Sequence, residues 1–341
     1  MKMRNLLIVS LSLLLIGMMS SCAPKDEEQP VHLQGAAQGT YYSMLYFDPQ
    51  HRNLTQEVDS ILNAFNKSVS LWDSTSIISG VNRNDPNVVL DSNFIGNFNY
   101  SQQVSDSTDG AFDATVGPLS EVWGFEFKNI EDVTPHMVDS ILPFVGYKKI
   151  KIVNGKVVKQ DPRMQLDFNG IAQGYSDMVV GKFFDSKGIH NYLIDIGGEV
   201  LGKGQKPNGD PWNVGIEKPA PNADAPRTLK AVVALRNMSL ATSGNYRKYY
   251  VVDGKRYGHT LDPHTGYPIQ HRLLSVSVLT KNTALADAYA TAFMEMGYEK
   301  SRKFVESHPS LDAFFIWIDK EGRFRTYATA GVKKIIIKDF N

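Results

Sequence analysis

The pattern of hydrophobic and polar positions predicts interspersed helices and strands from residue 31 onward. Within 54–69, the apolar residues Val58, Ile61, Leu62 and Phe65 recur at helical spacing. The predicted helices cover 54–69, 95–107, 134–145, 171–186, 284–296 and 299–306. The predicted strands cover the two halves of 31–47, the two arms of 147–159, and 163–168, 191–196, 212–217, 229–235, 248–252, 273–280, 312–317, 323–328 and 333–337. Because many hairpins separate these elements, with no internal repeat and no linker after residue 30, we expect one compact α+β domain at 31–341.

A different pattern at the N-terminus indicates a targeting segment. The apolar run at 6–19 falls short of the ~20 residues that span a bilayer and fits the hydrophobic region of a secretory signal. It is followed by Ser20, Ser21 and Cys22. One interpretation is a plain secretory signal with an incidental cysteine. The small-small-Cys ending favours the other: it resembles a bacterial lipoprotein box, which is cleaved before Cys22 and lipidated on its thiol.

The lipoprotein interpretation divides the N-terminal region into two parts. Residues 1–21 are the predicted signal peptide, and 22–30 are the lipidated cysteine with a polar, proline-bounded tether. We therefore expect a lipid anchor to hold the domain at a membrane of a bacterial cell envelope, with the domain in the periplasm.

Charge and cysteine content narrow the classes of partner. The chain has 36 Lys+Arg and 36 Asp+Glu, and without residues 1–21 its net charge is −2. This balance gives no basic excess to hold a phosphate backbone, so nucleic-acid binding is not expected. A single cysteine excludes an intrachain disulfide and any zinc or iron–sulfur site built on cysteines.

The segment 259–268 (HTLDPHTGYP) concentrates polar groups at a predicted turn. His259 ends the preceding strand, and Asp262-Pro263 followed by Thr265-Gly266 favours a tight turn. Taken alone, the segment has two equally good interpretations. It is either a hairpin that needs these residues for its geometry or a functional site.

Asp287 and Thr291 lie four residues apart on the predicted helix 284–296, so a carboxylate and a hydroxyl share one face. The alanines around them leave room for a hard cation and its waters, and Mg²⁺ prefers such oxygen ligands. In the simpler alternative, Asp287 only interacts with the helix dipole.

Glycines flank another candidate segment, 166–177 (LDFNGIAQGYSD). Gly170 and Gly174 border the start of a predicted helix, where backbone groups can approach a phosphate or its metal ion. Close packing of the helix on a sheet would explain the same glycines.

Two further segments carry a carboxylate and a large aromatic side chain. The turn 110–118 (GAFDATVGP) contains Asp113 among small and apolar residues, and the polar loop 70–74 contains Trp72. Trp72 is suited either to stacking on a flat ring or to packing in a core.

In their order and spacing, these segments resemble the FAD:protein FMN transferase family, the ApbE-like flavin transferases. The matching pieces are GTYYS (39–43), DSTSIISGVN (73–82), GAFDATVGPLSEVWGF (110–125), LDFNGIAQGYSD (166–177), IDIGGEVLGKG (194–204), WNVGIEKP (212–219), ATSGNYRKYYVVDGKRYGHTLDPHTGYP (241–268) and ADAYATAFMEMG (286–297). The combination of ATSG, H-x-x-DP-x-TG and AD-x(3)-T is highly specific. Members of this family are commonly periplasmic lipoproteins, which agrees with the interpretation of residues 1–30.

The resemblance implies an α+β fold that binds FAD and Mg²⁺. The implied reaction moves the FMN half of FAD onto a Thr or Ser hydroxyl of an acceptor protein and releases AMP, so it is a phosphoryl transfer. The implied metal ligands are Asp287, Thr291 and the backbone carbonyl of Ala172, and His259 is the candidate base for the acceptor hydroxyl. The implied FAD contacts are Gln38, Trp72, Ala111, Phe112, Asp113, Asn169, Tyr175 and Leu261. The implied acceptors are redox-pump subunits or FMN-carrying domains with an Asp-Gly-x-Ser/Thr-Gly-Ala-Ser/Thr-like motif.

Two positions depart from the family pattern. Gln38 stands where methionine usually precedes Gly-Thr, and Gln173 stands where many members carry lysine. Gln173 removes a positive charge near the phosphates, so FAD affinity or rate is expected to differ. Two alternatives remain open: a Mg²⁺-dependent FAD pyrophosphatase, with water in place of the acceptor hydroxyl, and a non-catalytic flavin-binding lipoprotein, which would need a disabled metal site.

Overall fold

The observed helices and strands follow one another in the interspersed order expected of an α+β chain. The computed structural model describes residues 29–124, 133–220, 226–245, 249–252, 255–258 and 260–340; the predicted signal peptide, Cys22 and His259 lie outside these ranges. The described strands are β1 (Val31–Ala37), β2 (Thr40–Tyr46), β3 (Ile150–Val153), β4 (Lys156–Lys159), β5 (Tyr192–Ile196), β6 (Glu199–Lys203), β7 (Trp212–Glu217), β8 (Leu229–Leu235), β9 (Met238–Gly244), β10 (Tyr249–Val252), β11 (Lys255–Gly258), β12 (Leu273–Thr280), β13 (Asp312–Ile318), β14 (Phe324–Ala328) and β15 (Ile336–Asp339). The described α-helices are α1 (Thr55–Val69), α2 (Ile77–Asn82), α3 (Ser92–Ser107), α4 (Gly117–Trp123), α5 (Pro135–Ile141), α6 (Ala172–Ser186), α7 (Thr283–Met296), α8 (Tyr298–Ser307) and α9 (Ala330–Ile335).

An eight-stranded antiparallel sheet forms the centre of the molecule. Its strand order is β1-β2-β5-β6-β9-β12-β13-β14. A second antiparallel sheet has three strands in the order β15-β8-β7. The hairpins β3-β4 and β10-β11 each form a separate two-stranded sheet.

Both faces of the central sheet are covered, which is why every residue of β12 is buried. Helix α7 packs on β9 and β12 at one face, and α6 packs on β5 and β6 beside it. Alternation along β13 sends Phe315 into the core beneath the helices, while Phe314 and Ile316 enter the core shared with the three-stranded sheet. Burial of each such side chain contributes about 1.5–3 kcal/mol, so the two cores hold the layers together.

The β1–β2 hairpin fixes the end of β5 through a tight turn. Gln38 and Gly39 have φ values of 53° and 73°, as a two-residue type I′ turn requires. Beyond the turn, the Gly197 N–H donates to the Tyr41 carbonyl at 3.0 Å. A Cβ at Gly197 would lie 2.9 Å from a methyl carbon of Thr40, so this contact requires glycine.

The strand predicted at 163–168 is wrong. The Leu166 N–H donates to the side chain of Asn82, and the Asp167 N–H donates to the carbonyl of Ala114. Apart from one isolated parallel bridge between Gln165 and Val116, loop groups satisfy this backbone, so the segment forms no strand.

The strand predicted at 333–337 is also wrong in its extent. Its first residues end α9 and its last residues begin β15. Val332 of α9 is fully buried and Ile336 pairs with Val233 of β8, so the apolar run serves both elements. The pattern also missed α2, α4, β6, β9 and β11.

Among the described residues, no helix combines the length and apolar character needed to cross a membrane.

Candidate functional site

A cleft of about 450 Å³ opens where the turn before α4, the start of α6, the end of β9 and the middle of α7 meet. Most of its lining comes from loops and element ends, as is usual for binding sites on a rigid scaffold. The lining residues are Ala111, Phe112, Asp113, Val116, Ser120, Asp167, Asn169, Gly170, Gln173, Gly197, Glu199, Thr242, Ser243, Gly244, Thr260, Leu261, Pro263, Asp287 and Thr291.

Asp287 lies at the contact between α7 and the first turn of α6. One carboxylate oxygen (Oδ2) accepts a hydrogen bond of 3.0 Å from the Gly174 N–H, where the positive end of the α6 dipole favours negative charge. A Cβ at Gly174 would lie 2.4 Å from the Thr283 carbonyl oxygen and 2.7 Å from the Asp287 Cβ. Glycine is therefore needed for the two helices to approach this closely.

Thr291 lies one helical turn beyond Asp287 and lines the same cleft. Its hydroxyl donates to the Gly170 carbonyl at 3.4 Å and lies 3.5 Å from the Ser243 hydroxyl. Both contacts are long for hydrogen bonds, so the Thr291 oxygen remains available to coordinate a cation.

Acidic side chains surround Asp287 with little to neutralise them. Burial raises the pKa of Asp287 to about 7. Burial, followed by the charge of Asp287, raises the pKa of Glu199 well above its usual range. Burial and then repulsion, first from Glu199, raise the pKa of Asp177 in the same direction. Among the described residues, neither carboxylate oxygen of Asp177 nor the Oε2 of Glu199 has a hydrogen-bond partner.

This donor set fits a hard cation. None of the described residues that line the cleft is a lysine or an arginine, whereas unpaired buried carboxylates are costly unless they meet a cation or a proton. The ligand atoms on offer are carboxylate, hydroxyl and carbonyl oxygens, the set that Mg²⁺ prefers. Asp287 and Thr291, with their side chains in the cleft, therefore suit the predicted magnesium site.

The turn before α4 forms one wall of the cleft. Asp113 accepts hydrogen bonds from the Thr115 N–H at 2.7 Å, the Thr115 hydroxyl at 2.6 Å and the Tyr147 N–H at 2.7 Å. Burial raises the pKa of Asp113 despite these bonds. Its carboxylate thus holds the turn in shape, while Ala111 and Phe112 contribute buried apolar surface to the wall.

Five of the eight predicted FAD contacts line this cleft, namely Ala111, Phe112, Asp113, Asn169 and Leu261. The other three lie elsewhere. Tyr175 is packed in the core and stacks on Phe65 with ring centroids 5.9 Å apart. Trp72 is 72% exposed on its loop. Gln38 lies in the β1–β2 turn with its amide nitrogen buried and without a hydrogen-bond partner among the described residues.

Ala172, the predicted carbonyl ligand, is the first residue of α6 and its side chain belongs to the core. His259 lies outside the described residues, so its role as base stays a prediction.

Three acidic residues at or beside the cleft were not predicted: Asp167, Asp177 and Glu199. Asp167 lies in LDFNG, Asp177 in GYSD and Glu199 in IDIGGEV. In each segment the sequence shows a single acidic residue among apolar residues and glycines. This pattern predicts a buried carboxylate, but it does not predict which side chains lie near that carboxylate.

Comparisons with known proteins agree with the sequence resemblance. The profile of the ApbE family matches residues 38–315. An FAD:protein FMN transferase of Vibrio cholerae is 32% identical over 344 residues, covering 98% of this chain and 100% of the relative. One from Haemophilus influenzae is 31% identical over 331 residues, covering 93% and 94%.

Solved structures extend the agreement to the fold. The flavin transferase ApbE from Vibrio cholerae superposes with a TM-score of 0.79 at 32% identity, covering 90% of this chain and 99% of that one. The apo form of the Pseudomonas stutzeri flavinyl transferase ApbE gives 0.80 at 30% identity, covering 93% and 99%. The predicted α+β fold is confirmed, and the chain belongs to the ApbE family.

Proposed function

We propose that this chain is an FAD:protein FMN transferase. It transfers FMN from FAD to a Thr or Ser hydroxyl of an exported acceptor protein, forming a phosphoester and releasing AMP. The nearly full-length similarity to FAD:protein FMN transferases supports this proposal, as does a cleft lined by the segments that carry the family motifs.

The observation that carries the proposal is the charge of the cleft. FAD brings a pyrophosphate dianion, and the described lining offers Asp113, Asp167, Glu199 and Asp287 but no basic side chain. An anion enters such a site only with a cation. Asp287, Thr291 and the Ala172 carbonyl are the proposed holders of Mg²⁺, which when bound neutralises charge on the phosphates.

The remaining lining residues would position the flavin nucleotide. Phe112 and Leu261 offer apolar surface to the rings, and Asn169 offers an exposed amide. Gln38, Trp72 and Tyr175 complete the proposed FAD contacts, although they do not line the cleft. Their participation requires the substrate to extend beyond it or the nearby chain to adjust.

The transfer reaction requires a base. The acceptor oxygen attacks the phosphorus of the FMN half, the P–O bond to AMP breaks, and the hydroxyl proton must leave. His259 is the proposed group that takes this proton, because an imidazole titrates near neutral pH.

We also propose that Cys22 anchors the protein by lipid to a membrane of the cell envelope, with the domain in the periplasm. Acceptors that bear the flavinylation motif would be exposed to the same compartment. Mass analysis of residue 22 in protein purified from membranes tests this: an unmodified, uncleaved N-terminus would contradict it.

The function is tested by mixing the full chain with FAD, Mg²⁺ and an acceptor bearing the motif, then denaturing the mixture and measuring the acceptor's mass. We expect a covalent gain of FMN that a chelator prevents. Asp287→Asn should reduce the rate at least about a hundredfold, since the loss of several kcal/mol of charge stabilisation is expected. Asp139→Asn, which changes an exposed aspartate on α5, is the matched control.

Two outcomes would overturn the proposal. Folded Asp287→Asn protein with normal transfer would contradict the role of the cleft. AMP and free FMN without labelling of any motif-bearing acceptor would instead favour the pyrophosphatase, in which water takes the place of the acceptor hydroxyl.

A further inference from the structure

Behind one wall of the cleft, three side chains from two segments form a compact group. Asp262 and His264 belong to the turn that follows Leu261, and Glu295 lies near the C-terminal end of α7. One potential ligand atom from each, two carboxylate oxygens and a ring nitrogen, lie within 4.8 Å of one another. The proposed transfer reaction uses none of the three.

A backbone carbonyl that does not belong to the group fixes the orientation of the His264 ring. Its Nε2 lies 2.9 Å from the Asp109 carbonyl oxygen. A carbonyl only accepts, so Nε2 carries the hydrogen, and in neutral imidazole Nδ1 is then an acceptor. Ligating histidines are commonly held in this way, with the outer nitrogen bound to a backbone carbonyl and the inner one facing the metal.

The inner nitrogen faces an oxygen at a distance that suits one ion. The His264 Nδ1 is 3.4 Å from the Asp262 Oδ1. Two ligands about 2.1 Å from a tetrahedral zinc ion lie about 3.4 Å apart. The Asp262 carboxylate is itself held, because Oδ1 accepts from the His264 N–H at 2.8 Å and Oδ2 from the Thr265 hydroxyl at 2.9 Å.

Glu295 supplies the third ligand atom, a carboxylate oxygen. Within the described part of the chain, its carboxylate forms no hydrogen bond and no ion pair. Burial and the charge of Asp262 raise the pKa of Glu295 to about 7, and the positive charges of His264 and Lys300 oppose this only in part. Two carboxylates and a ring nitrogen thus converge on a point where the nearby positive charges do not balance the carboxylates.

We propose that Asp262, His264 and Glu295 bind a divalent transition-metal cation, with zinc as the best match to one imidazole and two carboxylates. A water molecule would complete a four-coordinate site, since His264 is exposed and Asp262 partly so. This site is separate from the oxygen-only site at Asp287 and Thr291 in both position and ligand chemistry.

The placement of the three ligands indicates a structural role. Leu261 and Pro263, beside the ligands of the turn, line the cleft, as do Ala111 and Asp113 just after Asp109. Glu295 belongs to α7, whose middle carries Asp287. An ion here ties the turn to α7, and the His264 hydrogen bond extends this link to the segment at Asp109.

The competing arrangement is a proton in place of the ion. An imidazolium at His264 would donate from Nδ1 to Asp262 and lie near Glu295, with no metal bound. The two arrangements differ in stoichiometric metal binding, which makes them separable by direct titration.

The test uses the full chain, freed of metal with a chelator and kept in excess Mg²⁺ so that the cleft site is saturated. Co²⁺ is titrated first, because low-symmetry four-coordinate cobalt gives visible absorption bands, and Zn²⁺ is then used to displace it. We expect one equivalent to bind. His264→Gln and Glu295→Gln should each weaken binding by at least about 10–100-fold, the range that even loss of an outer-shell partner causes. Asp287→Asn and His136→Gln, the latter an exposed histidine on α5, should bind normally.

Stability gives an independent readout. Zn²⁺ should raise the melting temperature of the wild type and not that of His264→Gln or Glu295→Gln. Glu295→Gln removes a repelling charge, so its metal-free form should melt no lower than the wild type, and this variant keeps the test valid even where His264→Gln fails to fold. Absence of a one-equivalent cobalt complex, or binding that survives both substitutions, would overturn the proposal.

Discussion

Replacement of Asp287 by asparagine should stabilise the metal-free protein while it abolishes flavin transfer. The carboxyl group is 6% exposed, and burial raises its pKa from 3.8 to about 7. Asparagine has nearly the same shape, and its carbonyl oxygen can still accept the hydrogen bond from the Gly174 N–H. The substitution therefore removes the charge and little else.

The size of the effect follows from the pKa shift. A shift from 3.8 to about 7, at 1.36 kcal/mol per unit, gives a cost of up to about 4 kcal/mol for the ionised group in the folded state. Below about pH 4 both states are protonated and no cost arises. As the pH rises towards 7, the unfolded chain ionises first, so stability falls, and above about pH 7 the full cost remains. The Asp287→Asn variant escapes this loss, and relief of repulsion on Glu199 acts in the same direction.

Magnesium should remove the stability advantage of the Asp287→Asn variant. A ligand at 1,000 times its dissociation constant stabilises the folded state by about 4.1 kcal/mol, which is enough to offset the cost of ionised Asp287. The assay is urea unfolding of wild type, Asp287→Asn and Asp139→Asn at pH 5 and pH 8, in chelator and in saturating Mg²⁺. In chelator at pH 8, Asp287→Asn should be the most stable of the three. If it is instead less stable than the wild type there, the carboxylate is paired by something other than a metal and the reasoning fails.

Three further substitutions test other parts of the site. Thr291→Val should weaken binding of Mn²⁺, measured by its electron paramagnetic resonance signal, by about 10–100-fold, whereas Thr291→Ser keeps the hydroxyl and should bind nearly normally; equal affinities would remove Thr291 from the metal site. Gly174→Ala introduces a Cβ 2.4 Å from a backbone oxygen and should lower the free energy of unfolding by about 1–3 kcal/mol, so an unchanged urea midpoint would refute the close helix contact. Trp72→Ala should raise the KM for FAD about tenfold, as expected for a lost stacking partner, without changing the melting temperature, because the side chain is 72% exposed; an unchanged KM would exclude the predicted stacking.

Elements with strong local signals were predicted closely. The helix expected at 171–186 is observed as Ala172–Ser186, and Gly188 follows it with φ of 78°. The helix expected at 284–296 is observed as Thr283–Met296, capped by Asn282. In both helices, the apolar periodicity and the residues at the helix ends predict the same boundaries. Tertiary contacts therefore did not change the local preference.

Strand β9 illustrates why other elements were missed. Its sequence, MSLATSG, is rich in hydroxyl residues and ends in glycine, which resembles a loop. In the fold these hydroxyls face partners: Ser239 lies 2.7 Å from the Thr283 hydroxyl and Thr242 2.7 Å from that of Ser277. A polar strand whose hydroxyls bond to a helix and to the neighbouring strand leaves no hydrophobic alternation to detect.

The candidate site divides in the same way. The pairing of Asp287 with Thr291 follows from helical spacing and could be predicted from the chain alone. The approach of Gly174 to Asp287 joins residues 113 positions apart, and no local pattern encodes it. The family resemblance implied that the Ala172 carbonyl and Asp287 share a metal ion, but it did not predict the Gly174 contact. It also gave no indication of Asp177, because the effect of Asp177 depends on its proximity to Glu199 and Asp287 in three dimensions.

The central claim is tested most directly by counting products in one reaction. The full chain, FAD and Mg²⁺ are incubated with a motif-bearing acceptor, and AMP is measured together with FMN covalently bound to the denatured acceptor. The transferase account predicts one AMP for each flavinylated acceptor, with no label when the acceptor Thr or Ser is replaced by alanine. AMP formed at the same rate with no covalent flavin on the acceptor would contradict it.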